Sequence, residues 1–273
     1  VLGGGGLFAA FPLSYAILMP AFYIPIILML LGLILRGVSF EFRFKAQKRS
    51  KKRWGYVFYF GSLIATVTQG MILGYFVQGI AVSGRNFSGG PFDWLNAFSV
   101  MTGVALVAGY ALLGAAWLIM KTEDVTQEWA RRCTGYLFWL VAFFMGLVSL
   151  CMPIIDPRIR ELWFSLPNFF YLGIMPVSSM IMLGILWYDL RHRNEYRPFF
   201  LIQGIFLMNY IGIVVSTWPW LVPYSVTFRQ AAAVAESQSL LLVGAVIMLP
   251  VILAYTGYCY WVFRGKSSHE TAY

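Results

Sequence analysis

Two histidines, His192 and His269, and three cysteines, Cys133, Cys151 and Cys259, are the side chains here best suited to holding a metal or carrying redox chemistry. Haem iron takes His, Met, Cys or Tyr as axial ligands, so the position of these residues decides what iron chemistry the chain can support. His192 stands between Arg191 and Arg193, and His269 lies in the C-terminal tail, so neither falls in an apolar run. A bis-His or His/Met haem site inside such a run cannot be built. The cysteines are far apart, form no C-x-x-C pair and sit in or beside apolar sequence, as packing residues do. The 12 methionines read the same way. The expectation is that this chain carries no haem and no metal.

Acid–base chemistry is equally sparse. No Asp or Glu falls in the middle of an apolar run, where proton-coupled transporters and pumps commonly place one. The polar residues within the runs are Gln69, Gln78, Gln203 and Asn209, with Thr66 and Thr68. Hydrogen bonding between helices accounts for them better than a substrate site does. The glycine run Gly3–Gly6 follows no strand and opens no Lys-bearing helix, so it is not a phosphate loop. Close approach of two helices is its expected use. Arg36, Glu41 and Arg43 sit where an apolar run ends, with Glu41 and Lys45 at i,i+4 spacing. A locally paired, snorkelling anchor is the plain reading of this group, and proton entry or subunit contact the sharper one.

The elements that carry these residues follow from composition. Sixty per cent of the 273 residues are apolar and 11% charged, against about 25% charged in a soluble domain. Eight of the 20 Lys and Arg lie between Arg36 and Arg53, opposed only by Glu41. Flanked by apolar runs, and not set on a soluble domain with interleaved aromatics, they read as a cytoplasmic loop rather than a nucleic-acid patch. Residues 1–35 carry no charge and as one helix would reach ~52 Å, well beyond a ~30 Å hydrocarbon core. Pro12, Pro20 and Pro25 offer breaks. The expected division is a partial span over residues 1–16, a turn near Ser14–Pro20, and a full span over about 21–40. Six more spans follow at about 54–80, 99–120, 133–152, 168–188, 199–217 and 238–263. The fold class is therefore all-α, a polytopic bundle of seven complete spans and one partial span in a single membrane domain, 1–273. The sequence opens at Val1 in apolar residues, so the expectation is that it begins part-way along a span.

With this division, sixteen of the 20 Lys and Arg fall on the side of the basic loop, leaving Arg85, Arg158, Arg160 and Arg229 opposite. That asymmetry predicts a cytoplasmic basic loop and C-terminus. The outer loops are aromatic and Pro-rich, Gly89-Gly-Pro-Phe-Asp-Trp94 and Trp218-Pro-Trp-Leu-Val-Pro223. Trp94, Trp218 and Trp220 are expected in the headgroup belt, with a quinone or lipid groove as the alternative. Phe228–Ser237 has the composition of a short surface helix, and Ser237 is expected to cap the last span with Glu236 beside it.

Several stretches together resemble a known family. They are Gly4–Pro12, Ile34–Arg43, Gly90–Phe98, Trp117–Glu123, Glu236–Gly244 and Tyr260–Lys266. Ordered and spread along the whole chain, they resemble subunit II of bacterial cytochrome bd quinol oxidases. The resemblance implies a heterodimer in the bacterial inner membrane. Subunit I would carry b and d haems, oxidise quinol and reduce O2 to water. Subunit II would be haem-free and support its partner's assembly and stability, with small single-span subunits and membrane lipid as further partners and no nucleic acid. No catalytic, cofactor or metal residue is then expected here. Arg36, Glu41, Arg43, Trp94, Trp218 and Trp220 are candidates for interface or headgroup contact. The resemblance implies nine spans; the expectation is that the sequence from Val1 starts after the first of them and after the cytoplasmic segment with a Trp-Asp-Gly-Asn motif. Arg36-Gly37 and the short tail resemble the cyanide-insensitive branch. A small-molecule transporter or channel is the reading from another class. Broken spans placed symmetrically in two halves would favour it, and Pro176, Pro219 and Pro250 lack that symmetry.

Overall fold

Runs of apolar, good helix-forming residues bounded by charged or Pro/Gly-rich loops fold into antiparallel helices joined by short connections. The computed structural model describes residues 2–155 and 157–266, so His269 lies outside the described residues. A short helix α1 (Leu2–Ala10) precedes α2 (Pro12–Lys45) and α3 (Lys48–Gln78). Then come α4 (Ala97–Lys121), α5 (Asp124–Ile155), α6 (Pro157–Phe164), α7 (Asn168–Arg191) and α8 (Arg197–Thr217). A four-residue α9 (Phe228–Ala231) leads to α10 (Ala235–Val262). Seven of these, α2, α3 from Ser50, α4, α5, α7, α8 and α10, are long and apolar enough to cross a membrane. They are the seven expected spans, in the expected order.

The expected turn near Ser14–Pro20 is not there. Helix α2 runs unbroken through both Pro20 and Pro25. The break comes earlier, at Phe11 (φ −140°, ψ 64°), with Pro12 at the first helical position, where its missing N–H costs nothing. Each internal proline removes one N–H, but inside a bundle the neighbouring helices hold the chain helical. Pro25 is fully buried among them.

Close helix approach is real but lies elsewhere than expected. A Cβ at any of Gly3–Gly6 would meet nothing within 4 Å, so that run presses against no neighbour among the described residues. Instead a Cβ on Gly32 would lie 2.7 Å from the Gly61 carbonyl oxygen, and one on Gly70 2.7 Å from the Gly103 Cα. Bare backbones thus meet between α2 and α3 and again between α3 and α4. The Thr102 hydroxyl uses this proximity to donate to the Gly70 carbonyl at 2.9 Å.

The two ends of the bundle differ. At one end, opposite the basic stretch, two small hairpins fold over the helices. Strands β1 (Val82–Ser83) and β2 (Asn86–Phe87) pair Val82 with Phe87, and β3 (Trp220–Val222) and β4 (Val226–Thr227) pair Val222 with Val226. Beneath them lies a core of Ile17, Phe22, Met71, Tyr75, Trp94 and Val222, here called the hairpin-face core. At the other end a second core, with Leu112, Ala116, Phe138, Leu186 and Ile202, joins α4, α5, α7 and α8. The expected surface helix at 228–237 is only α9, closed by a Thr227–Gln230 capping box and with Ala231 buried. Ser237 lies inside α10 and caps nothing. Val234 holds the cap position without a side-chain bond, while Glu236 does lie in the first turn.

Candidate functional site

On the basic face, charged residues from three separate segments converge. The α4–α5 connection brings Glu123, the start of α5 Gln127 and Arg131, the α7–α8 turn Arg193 and Glu195, and the C-terminal tail Lys266. Lys266 Nζ lies 2.7 Å from Glu195 Oε2 and 3.9 Å from Glu123 Oε1. Gln127 donates to Glu195 Oε1 at 3.1 Å, and Arg131 stands 3.8 Å from the same oxygen. Arg131 also donates to the backbone carbonyls of Arg193 and Asn194, at 3.0 and 3.4 Å. Lys121 donates to the carbonyls of Phe263 and Gly265, at 2.6 and 3.3 Å, satisfying acceptors at the end of α10. The Lys266 hydrogen bond, reinforced by that of Gln127, holds Glu195 below the usual carboxylate value, and the same bond to Glu195 raises Lys266.

Beside this network stands one wholly buried carboxylate. Asp189, in the last turn of α7, has no exposed surface. Its Oδ1 accepts from Asn194 Nδ2 at 2.6 Å and its Oδ2 lies 3.3 Å from Arg197 Nε. That second contact is an ion pair only: Oδ2 accepts no hydrogen bond among the described residues. Asp189 therefore pins the turn that joins α7 to α8. Its place at a helix end, among Arg and Asn, reads in sequence as a solvated loop. Only the i+5 and i+8 spacing of Asn194 and Arg197 hinted at a closed turn.

The residues singled out in sequence are scattered rather than gathered. Arg36 places its guanidinium 5.5 Å from the Phe58 ring on α3. Glu41 and Lys45 are both exposed and form no ion pair among the described residues. Arg43 faces Lys51 and Lys52 across a shallow cleft where α2 meets α3. Trp218 is exposed and packs on Phe228, with ring centroids 4.9 Å apart, and Trp220 is half-buried on β3. Trp94 departs from the belt expectation: it is only 5% exposed and its Nε1 donates to the Pro91 carbonyl at 2.9 Å. The loop folds back and turns the ring into the core. His192 stacks on Tyr188 at 3.8 Å, on the exposed end of α7.

Of the polar residues within spans, Gln78 does bridge helices, donating to Asn96 Oδ1 at 3.0 Å and Ser99 Oγ at 3.3 Å. Gln69 accepts from the Tyr110 hydroxyl of α4 at 3.3 Å. Thr66 and Thr68 instead return their hydroxyls to their own helix. Asn209 Nδ2 donates to the Ile205 carbonyl at 2.8 Å and to Met145 Sδ of α5 at 3.5 Å, and both side chains line a cavity of about 600 Å³ between α3, α4, α5, α7 and α8, roofed by α6.

A family model described as cytochrome bd terminal oxidase subunit II matches residues 1–263. The chain belongs to that family. Cytochrome bd ubiquinol oxidase subunit 2 of Bacillus subtilis (strain 168) is 25% identical, over 98% of this chain and 80% of its own length. Cytochrome bd-I ubiquinol oxidase subunit 2 of Escherichia coli (strain K12) is also 25% identical, over 99% and 80%. A probable cytochrome oxidase subunit 2 of Haemophilus influenzae is 27% identical, over 96% and 79%. The fold is shared with the bd oxidase of Geobacillus thermodenitrificans, with a TM-score of 0.66 at 17% identity, covering 88% of this chain and 73% of that one. This bd-family chain is accordingly a multi-span membrane subunit of an oxidoreductase complex, with a subunit I as partner.

Proposed function

We propose that this chain is the haem-free subunit of a quinol:oxygen oxidoreductase, and that it supports assembly and stability of a haem-bearing subunit I that oxidises quinol and reduces O2 to water. The placement of histidine carries the reading: there are two, and neither falls in a membrane-spanning run. Haems b and d then belong to the partner, with quinol as the substrate of the complex. Helix α10 buries none of its described residues within the chain, so its length is open to a second membrane subunit or to lipid. The charge asymmetry supports a cytoplasmic basic face and C-terminus in a bacterial inner membrane. Arg36, Arg43, Trp218 and Trp220 then lie at headgroup level.

Purification in mild detergent tests this directly. A subunit bearing b and d haems is expected to accompany the chain, and the chain separated from it is expected to show no Soret band. Stoichiometric haem on the separated chain would overturn the haem-free reading; absence of any haem-bearing companion would overturn the oxidase reading. Single cysteines at Ser50 and Ser88, in a background without native cysteines, test orientation. Ser88→Cys should label from outside intact cells and Ser50→Cys only after lysis.

A further inference from the structure

Arg43, in the last turn of α2, and Lys51 and Lys52, near the start of α3, stand around a cleft of about 460 Å³. No carboxylate lines it, and none of the three cations makes an ion pair or hydrogen bond among the described residues. Helix α3 also opens without an acidic residue in its first turn and without a side-chain cap. The dipole end of a helix start is itself positive, so the lysines repel one another and that end until an anion stands beside them.

One face of α3 then changes character turn by turn. Lys51 and Lys52 are followed four residues on by Gly55 and Tyr56, and four further by Tyr59 and Phe60, all lining the cleft. At 3.6 residues per turn these pairs lie one above the other over about 12 Å. The order is cation, then phenol, then apolar ring, running into a helix long and apolar enough to cross a membrane. Tyr56, Tyr59 and Phe60 are each more than half exposed, so the described residues leave this wall uncovered. A Cβ on Gly55 would meet nothing within 4 Å, so the middle of the cleft is open. Its two helices are held in place: they touch backbone to backbone at Gly32 and Gly61, and nearer the basic stretch Phe42 stacks on Trp54 at 5.0 Å. Positive charge giving way to ring and apolar surface at a span end is the profile of a phospholipid, phosphate outward and chain inward. An acidic protein segment or free phosphate would use the cations and leave Tyr59 and Phe60 bare.

We propose that this cleft binds one phospholipid of net negative charge, its phosphate between Arg43 and the two lysines and an acyl chain along Tyr59 and Phe60. Arg43 offers paired N–H donors to the phosphate oxygens, and the lysines add point charge. Phosphatidylethanolamine carries the same phosphate, but its ammonium would enter a cleft already holding three cations, so a net-negative head is preferred.

The test is native mass spectrometry of the whole complex, stripped of lipid and titrated with phosphatidylglycerol or phosphatidylethanolamine in mixed micelles. One phosphatidylglycerol per chain should be retained, several-fold more strongly than phosphatidylethanolamine. Lys51→Gln with Lys52→Gln should lower its retention on the order of 25-fold, at roughly fivefold per lost charge, and Arg43→Gln about fivefold. Lys45→Gln with Arg53→Gln removes as much charge from the same stretch but outside the cleft, and should leave retention unchanged. Gly55→Leu fills the cleft with every charge kept, so orientation is undisturbed, and should release the lipid. A photoreactive benzoylphenylalanine in place of Tyr56 should cross-link to lipid, and millimolar inorganic phosphate should not displace it. Equal losses from the two charge pairs would reduce the effect to a diffuse field and overturn the site. So would equal retention of the two lipids, unchanged retention in Gly55→Leu, cross-linking to a protein subunit instead of lipid, or displacement by phosphate alone.

Discussion

The two ends of this bundle are closed by different physics. The hairpin end is fastened by a buried aromatic and by bonds to backbone. Trp94 lies under the loop, the Ser225 hydroxyl reaches the Ile80 carbonyl at 3.4 Å, and the Ala233 amide donates to the Ala10 carbonyl at 2.8 Å. The basic end is fastened by charge: Lys266, Glu195, Glu123 and Arg131 across three segments, with Asp189 pinning the turn beside them. Apolar closure carries no protonation dependence and is not screened by salt, whereas partly exposed ion pairs are lost when either partner changes protonation state and are screened by salt. The ends should therefore fail under different conditions.

The largest effect belongs to the hairpin end. Trp94→Ala removes a buried ring from a packed core and is expected to cost about 3–5 kcal/mol, read as a fall in thermal unfolding temperature in detergent. Trp94→Phe keeps most of the ring and loses the bond to Pro91, for about 1 kcal/mol. Equal losses from the two would show that the hydrogen bond, not the burial, closes this end.

Next comes Asp189. Asp189→Ala leaves Asn194 without its acceptor and is expected to cost about 1–3 kcal/mol. Arg197 is largely exposed and keeps its hydration, so the loss stays below the ~3–5 kcal/mol of a fully buried broken pair. Proteolytic cutting at the α7–α8 turn should rise in parallel. Asp189→Asn, which retains an acceptor, should recover part of the loss; no difference between the two variants would mean that Asp189 does not pin this turn.

The smallest effect is at the tail. Lys266→Gln should cost only about 0.2–1 kcal/mol, because both partners are partly exposed. The pH dependence identifies it. Glu195 is held below its ordinary value, so its contribution is present above the ordinary carboxylate range and is lost as pH falls through the lowered value. Lys266 is raised, so its contribution is present below the ordinary lysine value and is lost as pH climbs through the raised one. A spin label at residue 264 should thus be most restrained across neutral pH and gain mobility at both extremes and in high salt, while the Lys121 bonds to the carbonyls of Phe263 and Gly265 keep part of its restraint at acid pH. A label at position 88 on the hairpin end should follow neither pH nor salt. If both labels respond alike, the contrast between the ends fails.

Legibility in the sequence divides along similar lines. The spans are legible because charge is excluded from hydrocarbon, and the seven long helices lie where the uncharged runs are. Properties of contact are not, because local rules cannot supply them. Pro20 looks like a break by the rule for water-exposed helices, but the surrounding helices keep α2 continuous. Four glycines in a row look like a packing surface, but the bare backbones that meet belong to single glycines, Gly32 with Gly61 and Gly70 with Gly103, separated along the chain. Trp94 in a Pro/Gly-rich loop has the local marks of a headgroup anchor, and only the fold-back of that loop buries it. Asp189 sits in charged sequence, and its burial depends on a turn closed several residues later. The cavity beside Asn209 draws its walls from five long helices and has no local signature in the sequence.

Among the described residues, helix α10 is fastened only near its extremities. At its start the Ala233 amide ties the chain to α1, and at its finish Lys121 and Lys266 hold the residues after Val262, while the length between buries nothing. Pro250, near mid-length, removes one hydrogen bond from the ladder and lowers resistance to bending there. Mechanically this is a beam pinned at both supports with a compliant joint at mid-span. Lateral load bows or rolls it without loosening its mounts, so it can conform to the contour of whatever lies beside it while the rest of the bundle keeps its shape.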